Sequence, residues 1–82
     1  MTESSGTLTE AVGEEVVLTV NGAERRVSAG WTLADLLASL ELDARTVVVE
    51  CNGIILRDRS SFASVELAAD DSIEIVHFVG GG

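Results

Sequence analysis

The first clear alternation of apolar and polar positions falls at Glu15–Val20, where Val16, Leu18 and Val20 share one face and Val17 and Thr19 the other. A period of two predicts a strand with one strongly apolar face. Asn21-Gly22 follows, and Ala23–Ser28 returns as a polar strand-like run. Both central residues of a two-residue hairpin turn need positive φ, which Asn and Gly tolerate, so the two runs are expected to pair as a hairpin. The period then changes. Leu33, Leu36, Leu37 and Leu40 recur at i, i+3, i+4 and i+7, the stripe of a helix facing a core. Thr32 is placed as its N-cap, with Asp35 three residues on as a variant capping box and Trp31 and Leu36 as a hydrophobic staple. Burying the four leucines contributes roughly 1.5–3 kcal/mol each before entropy is counted. The helix is expected to stop within residues 39–42.

Residues 45–51 are β-branched and apolar, Asn52-Gly53 is a second turn signal, and Ile54–Leu56 is a short strand after it. Residues 58–64 read as irregular, anchored by Phe62, and Asp70-Asp71 as a turn. The last strand is expected over residues 72–79. Ile73, Ile75, Val76, Phe78 and Val79 make it almost continuously apolar, as in a central strand covered on both faces. A hairpin, a crossover helix and further strands ending in a central one predict an α+β fold with a mixed sheet and one helix across it. That arrangement is the β-grasp, or ubiquitin-like, roll. It is assigned to residues 15–79. Residues 1–14, rich in Ser, Thr, Gly and Glu and without periodicity, are expected to be a flexible extension, and residues 80–82 a flexible tail.

Composition narrows the possible functions. At 82 residues the chain is one domain, and a domain of this size buries only about 60–65% of its unfolded surface. A deep substrate cleft is therefore not expected. Fourteen acidic residues stand against five arginines, there is no lysine, and the net charge is −9. Nucleic acid and anionic membrane surfaces are unlikely partners for such a chain. A protein with a basic docking face would be steered to it, although solubility alone also accounts for the charge. No apolar run approaches the roughly 18 residues of a membrane span, and no secretory signal is visible. A lone cysteine, Cys51, excludes an internal disulfide and fits a reducing, cytoplasmic setting.

No internal catalytic or metal site is expected. His77 lies inside the last strand, Cys51 has no histidine near it in sequence, and no metal-binding or phosphate-loop motif is present. His77 reads as a structural strand position, Cys51 as a half-buried side chain, and Trp31 and Phe62 as core. What is left is the ending, Gly80-Gly81-Gly82. Glycine loses the most entropy on ordering, so three of them finish a fold poorly. They make a thin probe that reaches about 10 Å when extended. A terminal carboxylate, with an ordinary pKa of about 3.3–3.7, is ionised and a poor electrophile at neutral pH. It reacts only once a partner activates it. Out of context such an ending is more often a frayed terminus or a cloning remnant; its place after a central strand favours a functional role.

Several stretches resemble the ThiS-type sulfur carriers of thiamine biosynthesis, within the wider ThiS/MoaD group of ubiquitin-like proteins. They are Asn21-Gly22, Thr32-Leu33-Ala34-Asp35-Leu36-Leu37, and Val47-Val48-Val49-Glu50-Cys51-Asn52-Gly53-Ile54-Ile55. The most specific is Asp71-Ser72-Ile73-Glu74-Ile75-Val76 with Phe78-Val79-Gly80-Gly81-Gly82. The likeness runs in order from about Val16 to Gly82. Leu56-Arg57 stands where the family often has Pro-Arg, and Asp70-Asp71 where it often has Gly-Asp. The resemblance implies a carrier rather than an enzyme. An E1-like, ThiF-like enzyme adenylates Gly82 with ATP, a sulfur donor protein converts it to a thiocarboxylate, and a ThiG-like thiazole synthase receives the sulfur. No cofactor is bound by the carrier itself. The resemblance also implies that Gly80 and Gly81 thread the partner's active site and that Phe78 and Val79 dock against it. Carriers for molybdopterin, cysteine or secondary-metabolite chemistry share the fold and the Gly-Gly end. A ubiquitin-like protein modifier and a plain interaction domain with an inert tail remain as further alternatives.

Overall fold

Both Asn-Gly pairs form the turns expected of them. Asn21 and Asn52 each sit at φ 52°, followed by Gly22 at 83° and Gly53 at 86°, a left-handed pair that glycine adopts without penalty and that asparagine tolerates. The first turn joins β1 (Glu15–Val20) to β2 (Ala23–Ser28), and the second joins β3 (Val47–Cys51) to β4 (Ile54–Leu56). The last strand, β5, spans Ser72–His77. These bounds belong to the computed structural model of the chain, which describes residues 14–78. The expected extension over residues 1–14, Glu14 apart, lies outside the described residues, as do Val79 and the expected tail over residues 80–82.

The five strands form one mixed sheet in the order β2-β1-β5-β3-β4, with β1 and β5 parallel and the other pairings antiparallel. β5 is central, as expected. The helix α1 (Leu33–Ser39) begins at Thr32, whose hydroxyl accepts from the Asp35 N–H at 3.2 Å while the Asp35 carboxylate accepts from the Thr32 N–H at 2.9 Å. The expected capping box is therefore complete. The helix ends without glycine: Glu41 takes φ 60°, and the N–H groups of Glu41 and Leu42 close on the carbonyls of Ala38 and Leu37, the pattern of a Schellman cap. Leu33, Leu36 and Leu37 are buried against Leu18, Val20, Val27, Val47, Val49, Ile73 and Ile75 from the sheet. Leu40, at the C-terminal end of the stripe, is half-buried.

Three expectations need correction. The strand expected from residue 45 starts at Val47, because Asp43 caps a short 3₁₀ turn over Ala44–Thr46. The Arg45 side chain and N–H both bond to Asp43, at 2.8–3.1 Å, and hold its carboxyl down at about 2. Residues expected to be irregular form a 3₁₀ helix, Arg59–Ser64, capped by Asp58 and anchored by buried Phe62. Strand β5 is not covered on both faces. Ile73 and Ile75 are buried, but Val76 is 59% and Phe78 44% exposed. Helix α1 and the buried Phe62 of the 3₁₀ helix pack on one face of the sheet, and no described element covers the other.

The two turn asparagines also clamp β5. Asn21 Oδ1 accepts from the Ile75 N–H at 2.7 Å and its amide donates to the Ile75 carbonyl at 3.2 Å, continuing the β1–β5 ladder with a side chain after the main chain has turned away. Asn52 Oδ1 accepts from the Ser72 N–H at 2.8 Å, and its amide donates to Asp71 at 3.0 Å. Replacing Asn21 by glycine keeps the turn but strands two part-buried groups, an expected loss of about 1–3 kcal/mol. Asn21→Ala is expected to lose more, since alanine also resists positive φ. Urea unfolding of the two variants beside the unaltered chain separates the contributions.

Candidate docking face and chain exit

Alternation along the strands divides the sheet into an inner face that faces α1 and an outer face without a covering layer among the described residues. The register sets Val48 opposite Val76 and Glu50 opposite Glu74 on β3 and β5, and Ile55 of β4 opposite Glu50. These five side chains line a shallow trough of about 600 Å³. Contiguous exposed apolar surface with a polar rim is a mark of an interaction site rather than of ordinary surface.

Phe78, one of the two docking residues that the resemblance implies, lies on this same outer face, two residues beyond Val76, and its N–H still reaches the Thr46 carbonyl at 3.2 Å. Arg59 holds it from the side. The Arg59 guanidinium donates to the carbonyls of Ala44 at 2.7 Å and Val47 at 3.4 Å, and its carbon stands 5.8 Å from the centre of the Phe78 ring. Cation–π attraction at an exposed site of this kind contributes about 0.5–1 kcal/mol. The chain thus leaves the sheet at a point fixed by main-chain pairing and by one arginine. Val79, Gly80, Gly81 and Gly82 continue from there, outside the described residues.

The other candidates take the places expected of them. Cys51 is half-buried, and burial, with the negative charge of Asp71 adding to it, pushes its thiol above the ordinary value. A thiol shifted that way is a poor nucleophile at neutral pH. His77 is exposed and pairs with Val47 in the ladder. Trp31 is half-buried against the core and Phe62 is in it. Among the described residues no group of His, Cys, Asp and Glu has the makings of a metal site, and no helix is long and apolar enough to cross a membrane. Sequence reasoning missed Val48, Ile55, Val76 and Arg59. For the three apolar residues a signal was available: one predicted helix can shield only one face of strands that are apolar on both.

Comparison with known proteins gives one answer at three levels. The model of the ThiS family matches residues 6–82. Thiazole synthases of Paramagnetospirillum magneticum and Magnetococcus marinus are 46% identical over 65 residues and 41% identical over 63, covering 79% and 77% of this chain. The chain spans only about a fifth of their length, 20% and 19%. The sulfur carrier protein ThiS of Bacillus subtilis is 51% identical over 51 residues, covering 62% of this chain and 76% of the relative. The crystal structure of the thiamine biosynthesis protein ThiS from Geobacter metallireducens, 34% identical, superposes with a TM-score of 0.70 over 82% of this chain and all of the other. With that β-grasp neighbour and the family match over nearly its whole length, the chain belongs to the ThiS family, which includes a sulfur carrier protein and a protein of thiamine biosynthesis.

Proposed function

We propose that this chain carries sulfur for thiazole formation in thiamine biosynthesis and that Gly82 is its reacting residue. The observation that most supports this is the position of Phe78, held by Arg59 one residue beyond the central strand, with Val79-Gly80-Gly81-Gly82 following it in sequence. A partner that grips the face receives the ending in a fixed direction, and glycines without Cβ atoms enter a narrow channel. Thiazole synthases that include a segment similar to this chain supply a second support, since such a segment then stands in one polypeptide with a thiazole synthase.

The chain acts as a co-substrate. A carboxylate is activated by exchanging its charge for a leaving group. One oxygen of Gly82 attacks the α-phosphorus of ATP held by an E1-like partner, pyrophosphate leaves, and an acyl adenylate results. The outer sulfur of a persulfide on a donor protein attacks the acyl carbon and AMP leaves. A thiol then attacks the donor sulfur of the acyl disulfide so formed, releasing the thiocarboxylate and leaving a disulfide. On thiazole synthase the sulfur passes to the acceptor, an oxygen from the acceptor or from water replaces it on the acyl carbon of Gly82, and the carboxylate is regenerated. Gly80 and Gly81 thread the partner's channel, while Phe78 and Val79 rest at its mouth. The carrier contributes reach and recognition, and the partners contribute the activating chemistry. A need for ATP and for reducing conditions that protect a thiocarboxylate supports a cytoplasmic setting for these steps.

Intact mass of the protein isolated from its own cells without reductant tests the reading. A species heavier by one oxygen-to-sulfur exchange, mapped to Gly82, is expected. Carboxylate alone, even after incubation with ATP, a sulfur donor and the adenylating enzyme of the same organism, would sink the carrier reading. An isopeptide-linked adduct on another protein would replace it with the modifier reading.

A further inference from the structure

The outer trough has a direction. Its floor is apolar, formed by Val48, Val76 and Ile55. One end is acidic, with Glu50 and Glu74 directly opposed across β3 and β5. At the other end Arg57 and Arg59 border Val48 and Ile55, and Phe78 lies against Arg59. Directly opposed side chains stand with Cβ atoms about 4.5–5.5 Å apart, and like charges in that position oppose strand pairing. No cation offsets the two carboxylates among the described residues, where the ion pair within 4 Å is Asp43–Arg45, outside the trough. The centre of a small sheet therefore carries an unfavourable pair next to an unfavourable apolar exposure. Neither serves the free chain, and one occupant relieves both.

We propose that the trough docks a partner protein through an apolar ridge ending in an arginine that sits between Glu50 and Glu74. The proposal rests on the carrier reading and names what the carrier's partner must present. A guanidinium has donors on more than one edge and serves two carboxylates at once, which an ammonium does less well. Polarity fixes the orientation: the partner's cation lies at the Glu74 end and its tail channel at the Phe78 end. Four residues of strand separate them, about 13 Å. The chain's net charge of −9 steers a basic surface toward the trough. A second copy turned end to end would also set Glu50 and Glu74 on Arg57 and Arg59, but two copies of that charge repel each other.

The double variant Glu50→Gln, Glu74→Gln keeps the shape of the trough and removes its charge. Its binding to the purified adenylating enzyme and to the purified thiazole synthase of the same organism is compared with that of the unaltered chain over a range of salt. At least about a tenfold loss of affinity for one of them is expected, with a flatter salt dependence. The thermal midpoint of the free variant is expected to rise by about 1–5 °C as the repulsion is lifted. A loss below tenfold with both enzymes overturns the proposal and leaves the carrier reading standing. A fall in the midpoint assigns the glutamates to the fold and also overturns it. Sedimentation showing a dimer of the unaltered chain that the double variant dissociates gives the trough to a second copy instead. Failure of the unaltered chain to bind either enzyme overturns the carrier reading and this proposal together.

Discussion

Deletion of Gly82 is expected to abolish adenylation of the chain while leaving its thermal midpoint unchanged. The buried core runs from Leu18 to Ile75, and the last described main-chain bond is that of Phe78. Gly82, four positions further on in sequence, has no side chain to bury, so its removal is expected to fall within the roughly ±0.5 kcal/mol of changes away from packed features. The chemical effect is of another order. Without Gly82 the carboxylate retreats by one residue, about 3.3–3.6 Å. Misplacing a reacting group by about 1 Å can already slow a reaction on the order of 10²-fold. ATP–pyrophosphate exchange catalysed by the adenylating enzyme, measured beside a thermal melt, reads both effects. Gly82→Ala completes the experiment: it restores reach but adds a Cβ, so its activity reports the width of the channel. Exchange that survives the deletion would place the reacting group elsewhere. A lowered midpoint would make the ending part of the fold.

Most of the fold was legible because local and global signals agree in this chain. Asn21-Gly22 and Asn52-Gly53 demanded left-handed turns and adopt them. The leucine stripe demanded a helix and Thr32 caps it where expected. The misjudged elements are those in which a side chain competes with the pattern. Asp43 and Asp58 each draw the next turn of main chain onto their carboxylates, making 3₁₀ segments where β-branched or mixed composition suggested strand or irregular chain. The Glu41 cap is silent in sequence because the usual glycine is missing. The candidate docking surface was half legible. Phe78 could be singled out from the ending, but the trough unites Val48, Ile55 and Val76 from three strands, and only the register brings them together. Arg59 is equally hidden: its hold on Ala44, Val47 and Phe78 spans contacts 12 to 19 residues apart in sequence.

The alternation along β5 also predicts that neighbouring residues of one strand have separable roles, which two alanine substitutions expose. Ile73 is fully buried at the centre of the sheet, paired with Val20 on one side and Cys51 on the other. Ile73→Ala removes buried methyl and methylene groups that the tightly packed inner face cannot refill, an expected loss of about 2–5 kcal/mol. Domains have about 0.05–0.15 kcal/mol of stability per residue, so a chain of this size has only a few kcal/mol in reserve. The midpoint is expected to fall by roughly 10 °C or more, and much of the population to be unfolded well below the unaltered chain's transition. Val76, three residues on, faces outward and is 59% exposed. Val76→Ala is expected to change stability by no more than about 0.5 kcal/mol. It should still weaken docking of the adenylating enzyme or the thiazole synthase, because Val76 forms part of the apolar floor of the trough. Calorimetry on the free variants and affinity measurements with each enzyme give the two readouts. If Val76→Ala lowered the midpoint as far as Ile73→Ala, the outer face would be part of the core and the division between folding and docking faces would fall. If it left both affinities untouched, the face would be exposed for some other reason and the partners would grip the ending alone.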